Sequence, residues 1–187
     1  RIEEFGDYSH DIEDGYDAVE WAAKLPGANG KVGLIGHSDE GRLAWYAAVS
    51  APPHLAAIAP SAATSDPWRI VPYAAMAFGP INISWACMMR DRNMATNGAD
   101  LEIGEALTHL PLSALPARLG CAPNAIWDRW IAHPTLDAFW RARAVTTYID
   151  KVKVPAMSAS HSTSTQLPRS LRNLAMAVQS WVCTTSP

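Results

Sequence analysis

Lys31-Val32-Gly33-Leu34-Ile35-Gly36-His37-Ser38-Asp39-Glu40-Gly41 is the stretch on which the reading of this chain turns. An apolar run ends at Gly36, Ser38 falls on the turn, and a helix-forming segment begins after it. A strand that stops sharply and feeds a helix lifts the serine hydroxyl above the sheet, the geometry of a nucleophile elbow. Small residues flank such a serine because the backbone is strained and crowded there. The usual pattern has glycine two residues after the serine. Here Glu40 holds that position and glycine follows at Gly41. A Gly-x-Ser turn between strand and helix is also compatible with an ordinary tight turn, so the flanking segments must decide.

Upstream, Ile12, Tyr16, Val19 and Ala23 recur at helical spacing, predicting a helix from about Ile12 to Leu25 that Pro26-Gly27 and Asn29-Gly30 close. The strand is expected over Lys31 to Ile35. Downstream, a helix from about Glu40 to Ser50 would place Leu43, Tyr46 and Ala47 on one face, and Pro52-Pro53 stops it. Leu55 to Ala59 reads as a second buried strand, ended by Pro60. Helix, strand, turn, helix, strand within sixty residues is the βαβ logic of a parallel sheet, and the fold class is α/β.

From Asp66 the character changes. Tryptophans 68, 85, 127 and 130, several methionines and frequent prolines, with patchy periodicity, predict an irregular, mostly helical insertion reaching about Ile131. Its aromatic and methionine side chains suit core filling or, if they cover a site, an apolar lining. Thr135 to Ile149 again looks helical, and Val152 to Met157 returns to the sheet. A polar Ser/Thr run from Ser158 to Thr165 reads as a loop, and a last helix is expected from Pro168 to Val182. The organisation expected is a core over 1–65, an insertion over 66–134 and a return to the core, cut short, over 135–187.

The 187 residues suffice for one domain with a sizeable core. A charged fraction of 18% and a net charge of −3, with no basic stripe, point away from nucleic acid, and no apolar run is long enough to span a bilayer. Cys87, Cys121 and Cys183 are odd in number and far apart, which argues against a disulfide framework. No Cys/His spacing suggests a metal, and no cofactor is expected. The chain opens at Arg1 in mid-pattern, as a fragment would. It shows no signal peptide, so the cytoplasm is the default compartment. The sequence does not set an oligomeric state.

Several blocks agree on one family. Asp14-Gly15-Tyr16-Asp17-Ala18-Val19-Glu20-Trp21, Asn29-Gly30-Lys31-Val32-Gly33, Gly36-His37-Ser38-Asp39-Glu40-Gly41, Ala57-Ile58-Ala59-Pro60-Ser61, His133-Pro134, Asp137-Ala138-Phe139-Trp140 and Val154-Pro155-Ala156-Met157 resemble, in order and spacing, the X-Pro dipeptidyl-peptidase/cocaine esterase family, which includes α-amino-acid ester hydrolases. The displaced glycine of the elbow is similar to that family's own form. The resemblance implies an α/β-hydrolase core with a nucleophile elbow, an inserted helical cap after Pro60 and an incomplete sheet. It also implies hydrolysis of a small-molecule ester, amide or peptide through an acyl-enzyme, without nucleic-acid or membrane partners. Ser38 would be the nucleophile, and the backbone N–H of Asp39 one oxyanion donor.

The resemblance also marks departures. Asp39 stands where the family usually has tyrosine, and its carboxylate is unfavourable beside a developing oxyanion unless it points away or pairs. The second oxyanion donor, a tyrosine, belongs to a region upstream of Arg1. The triad acid would lie just after Met157, where Ser158 to Thr165 holds no acid, and no histidine follows His161. The triad acid and histidine are therefore not identified. His37 would point away from the Ser38 hydroxyl. His10 and His54 read as surface residues, His109 as packed among leucines, His133 and Asp137 as structural, and His161 precedes the expected acid. Three readings stay open: a serine hydrolase weak or inactive as this chain alone, a non-catalytic relative that binds a ligand or partner, and a reading-frame change behind the Ser/Thr run.

Overall fold

The computed structural model describes residues 10–71, 79–90 and 100–157. The start of the chain, the Ser158–Thr165 run with His161, the expected helix Pro168–Val182 and Cys183 lie outside the described residues. Those described fall into two compact units, 10–65 with 145–157, and 66–144.

The first unit holds helix α1 (Asp11–Ala22), strand β1 (Val32–His37), helix α2 (Asp39–Ser50) and strand β2 (Leu55–Ser61). The strands are parallel, with Leu34 opposite Ile58 and Gly36 opposite Pro60, and α2 is the crossover between them. Ala156 adds a parallel bridge to Ile58, where Ile58 N–H donates to the Pro155 carbonyl and Met157 N–H to the Ile58 carbonyl. The α/β reading holds, with two corrections at the ends of elements. β1 runs past Gly36 to His37, and β2 runs through Pro60 to Ser61. Pro60 is tolerated for a reason of periodicity. The Ile58 N–H points to the Pro155 side, so position 60, two residues on, directs its missing N–H to that side as well, away from β1.

α1 packs on α2 at a close crossing. A Cβ on Gly15 would lie 2.9 Å from the Cα of Ala47, so the approach depends on the absence of a side chain at Gly15 and the small one at Ala47. α2 is enclosed over most of its surface from Ala44 to Val49. Leu43, expected on the buried face with Tyr46 and Ala47, is instead 40% exposed. It lines a cavity of about 350 Å³ between α1, β1 and α2, whose walls include Asp11, Gly15, Ile35 and Glu40 but not Ser38.

The second unit is built of short helices: α3 (Pro67–Ile70), α4 (Pro80–Met88), α5 (Ile103–Ala106), α6 (Leu115–Arg118), α7 (Ala125–Ala132) and α8 (Ala138–Arg143). Trp127, Trp130 and Trp140 are buried together with Ile83, Leu115 and Ile126, and Trp85 stacks on Trp130 with ring centroids 5.7 Å apart. The helix expected from Thr135 to Ile149 is two pieces, α8 and a 3₁₀ stretch (Val145–Lys151), separated by extended backbone at Ala144. Cys87 and Cys121 form a disulfide, contrary to the expectation from spacing: residues 34 apart in sequence have Cα atoms 5.4 Å apart once α4 and the turn after α6 meet. No helix among the described residues is long and apolar enough to cross a membrane.

Candidate active site

Ser38 joins the end of β1 to the start of α2 and is exposed. Its backbone stands at φ 56°, ψ −114°. A residue with a β-carbon is rarely held at positive φ, and the cost, on the order of 1–3 kcal/mol, is borne where the surroundings dictate it. Here they do. Ser38 N–H donates to the Ser61 carbonyl at 2.8 Å, tying the turn to the end of β2, and the Ser38 carbonyl accepts from Arg42 N–H at 3.1 Å as α2 begins.

The glycines on either side have measurable reasons. A Cβ on Gly36 would meet the Glu40 carbonyl carbon and oxygen at 2.4 Å and Gly41 N at 2.7 Å. A Cβ on Gly41 would meet the Ala63 Cβ and the Gly36 carbonyl oxygen at 2.9 Å. The strand end and the first turn of α2 thus press backbone to backbone at the 36/41 contact. That accounts for the glycine at position 41, with a side chain accepted at position 40.

Asp39 is the first residue of α2, so its N–H is one of the four at a helix start that lack an intrahelical acceptor. Its carboxylate is paired. Asp39 Oδ1 accepts from Arg42 Nε at 3.1 Å and also from Arg42 Nη2. Arg42 Nη1 reaches Asp11 Oδ2 at 2.9 Å, and the guanidinium lies 5.2 Å from the Tyr46 ring centroid. Only 5% of the Arg42 side chain is exposed. One buried cation therefore bridges the elbow to α1. Burial raises the Asp11 carboxyl above its ordinary range, against the opposing pull of Arg42. Arg42 was not singled out from the sequence. The i, i+3 spacing of Asp39 and Arg42 was the available signal, whereas the Asp11 contact spans 31 residues and is purely tertiary.

The histidines have other engagements. His37 Nδ1 lies 3.3 Å from Ser61 Oγ, and among the described residues no histidine ring hydrogen-bonds the Ser38 hydroxyl. His54 Nδ1 meets Glu20 Oε2 at 2.8 Å, linking the start of β2 to α1. His109, expected to be packed, is exposed. His133 Nδ1 meets Asp137 Oδ2 at 2.6 Å and stacks on Phe139, while Asp137 Oδ1 caps α8 by accepting from Phe139 and Trp140 N–H. Among the described residues no group of three or more His, Cys, Asp or Glu side chains could hold a metal.

Two carboxylates are tuned by these histidines. The His133 hydrogen bond is the main cause holding Asp137 below its ordinary range, against partial desolvation and helped by the Trp140 and Phe139 N–H groups. For Glu20, desolvation is the largest single influence and pushes upward, but the ring and backbone hydrogen bonds of His54, with the charges of His54 and Lys24, together outweigh it and lower the carboxyl. A folded-state value below the unfolded one adds stability above the unfolded value, and that stability is lost as pH falls through the folded one. Stability measured by urea midpoint should therefore fall below the carboxylate range of about pH 4, and Asp137→Asn or Glu20→Gln should flatten the fall. Asp11, raised by burial, acts with the opposite sign. Acid profiles of both variants parallel to wild type would contradict this assignment.

A family profile described as X-Pro dipeptidyl-peptidase (S15 family) matches residues 4–167. The chain belongs to the S15 family. Cocaine esterase of Rhodococcus sp. (strain MB1 Bresler) is 26% identical over 172 residues, covering 82% of this chain and 30% of that protein. Two solved structures share the fold, each 23% identical and each covering 80% of this chain and 26% of theirs. One is an aminopeptidase from a marine sediment archaeon, Thaumarchaeota archaeon, with a TM-score of 0.63. The other is an α-amino-acid ester hydrolase, with a TM-score of 0.65. The S15 chain thus has an α/β-hydrolase fold with a short parallel sheet, and it spans about 30% of the length of the curated relative it matches.

Proposed function

We propose that this S15 chain is the elbow-bearing part of a serine hydrolase that cleaves an acyl ester, amide or peptide through an acyl-enzyme on Ser38. The observation that carries the reading is the exposed Ser38 at φ 56°, held between two glycines whose β-carbons would collide with backbone or neighbouring atoms. A strained serine at the carboxyl end of a parallel strand presents its hydroxyl above the sheet and leaves the next N–H facing the same space. In this reading Ser38 Oγ attacks the carbonyl carbon, the carbonyl oxygen becomes the oxyanion, and the N–H of residue 39 donates to it. Collapse of the tetrahedral species expels the alcohol or amine, which takes up a proton, and water then releases the acid and restores Ser38. The insertion that begins at Asp66 plays the part of the family's cap. The cocaine esterase relative gives ester cleavage as the first chemistry to try.

The acid-free stretch Ser158 to Thr165 favours a second reading, a relative that binds an acyl ligand without turning it over. A fluorophosphonate probe separates the two. Because no histidine meets Ser38 among the described residues, the expected result is slow covalent labelling, mapped by mass spectrometry to the peptide containing Ser38 and abolished in Ser38→Ala. Turnover of an activated ester should be weak. Absence of label in the wild type, or equal label in Ser38→Ala, would overturn the nucleophile assignment. Saturable acyl binding unchanged by Ser38→Ala would then support the binding reading.

A further inference from the structure

We propose that Arg42 is a positioning residue of the elbow: by neutralising Asp39 it keeps the N–H of residue 39 usable as an oxyanion donor. This rests on the reading of Ser38 given above. The difficulty it addresses is electrostatic. A carboxylate on the residue whose N–H must receive a developing negative charge opposes that charge. A tyrosine or another neutral residue at position 39 would not raise the problem.

The structure places the compensating cation where it must be. Arg42 is one turn along α2, its Nε and Nη2 both meet Asp39 Oδ1, and its remaining Nη1 is anchored on Asp11 of α1. The guanidinium is buried, while the Asp39 side chain it grips stays 41% exposed. The double grip also has a directional consequence. The Asp39 carboxylate is drawn along the helix toward residue 42, while its N–H sits at the helix start, beside Ser38. Arg42 is suited to the task because a planar fork can engage two carboxylates at once, which an ammonium does less well.

The test uses the fluorophosphonate labelling rate of the full chain as its readout, with circular dichroism to confirm folding. Arg42→Met should lower the rate by about tenfold or more, a part of what the loss of an oxyanion donor costs. The diagnostic result is rescue: in Asp11→Asn/Asp39→Asn/Arg42→Met, where both carboxylates are neutral, the rate should return to within about threefold of wild type. Arg42→Lys, which keeps the charge but not the planar fork, should lie between wild type and Arg42→Met, and it decides the matter if Arg42→Met does not fold. Wild-type rates in Arg42→Met, or a loss in Arg42→Met or Arg42→Lys that neutralising both carboxylates leaves in place, would overturn the proposal while leaving Ser38 as the nucleophile. A wild-type chain that takes no label overturns the reading of Ser38, and this proposal with it.

Discussion

Gly36→Ala is expected to destabilise the chain by roughly 3 kcal/mol or more, while Gly33→Ala, three residues earlier on the same strand, should be close to neutral. The two glycines look alike in sequence, and their surroundings differ. At Gly33 an added Cβ meets nothing within 4 Å. At Gly36 it would lie 2.4 Å from the carbonyl carbon and oxygen of Glu40 and 2.7 Å from the nitrogen of Gly41. Those atoms belong to the first turn of α2, so no side chain can rotate to relieve the overlap. Either the helix start moves or β1 does, and both motions pull on Ser38, whose N–H is tied to the Ser61 carbonyl. Gly41→Ala should be milder: its Cβ would meet Ala63 Cβ and the Gly36 oxygen at 2.9 Å, and part of that contact is a side chain. Urea midpoints rank the three variants, and the Ser38 labelling rate should fall in the order Gly33→Ala, Gly41→Ala, Gly36→Ala. A near-neutral Gly36→Ala would mean that the elbow is looser than its backbone contacts indicate.

That comparison also marks how far the sequence could be read. Glycine, serine and a displaced glycine were legible as a turn of a particular kind, because only small residues tolerate such crowding. What Gly41 touches was not legible, since Ala63 and Ser61 reach it through β2. The helix and strand order was legible to within a few residues because α1 carries a helical apolar period, while β1 and β2 are short apolar runs bounded by turn residues. In α2 the apolar pattern puts Leu43 on the buried face, and the structure leaves it 40% exposed. A helix enclosed by α1 and the sheet is apolar almost all round, so its period no longer identifies one inner face. Arg42 shows the limit from the other side: a charged residue normally marks solvent, and here it is buried and paired with two carboxylates, one of them 31 residues away. In the insertion, short helices broken by prolines erase periodicity, so its core and its Cys87–Cys121 pairing come from contacts that no local pattern announces.

Trp127→Ala is expected to have an equally large effect in the second unit, about 3–5 kcal/mol. Trp127 is fully buried on α7 and meets its neighbours in two chemically distinct ways. Its ring fills the core beside Ile83, Leu115 and Trp130, and its Nε1 donates to the Leu112 carbonyl at 2.9 Å. Its backbone N–H donates to the Oδ1 of Asn124, the N-cap of α7, whose Nδ2 in turn donates to the Ala86 carbonyl on α4 at 2.9 Å. One helix start thus joins α4, α7 and the turn at Leu112 through groups that are almost wholly excluded from water. Trp127→Phe keeps most of the volume and deletes only the indole donor, so it should cost about 1–3 kcal/mol, the range for a carbonyl left without its partner in the interior. Asn124→Ala removes the cap and the Ala86 contact together and should fall in a similar range. Because the ring and the cap share one turn of helix, Trp127→Ala combined with Asn124→Ala should cost less than the sum of the two. Denaturant unfolding of the four variants gives the ordering directly. If Trp127→Phe proves as damaging as Trp127→Ala, the indole hydrogen bond outweighs the packing, and the unit is held by its polar cross-links more than by its tryptophan core.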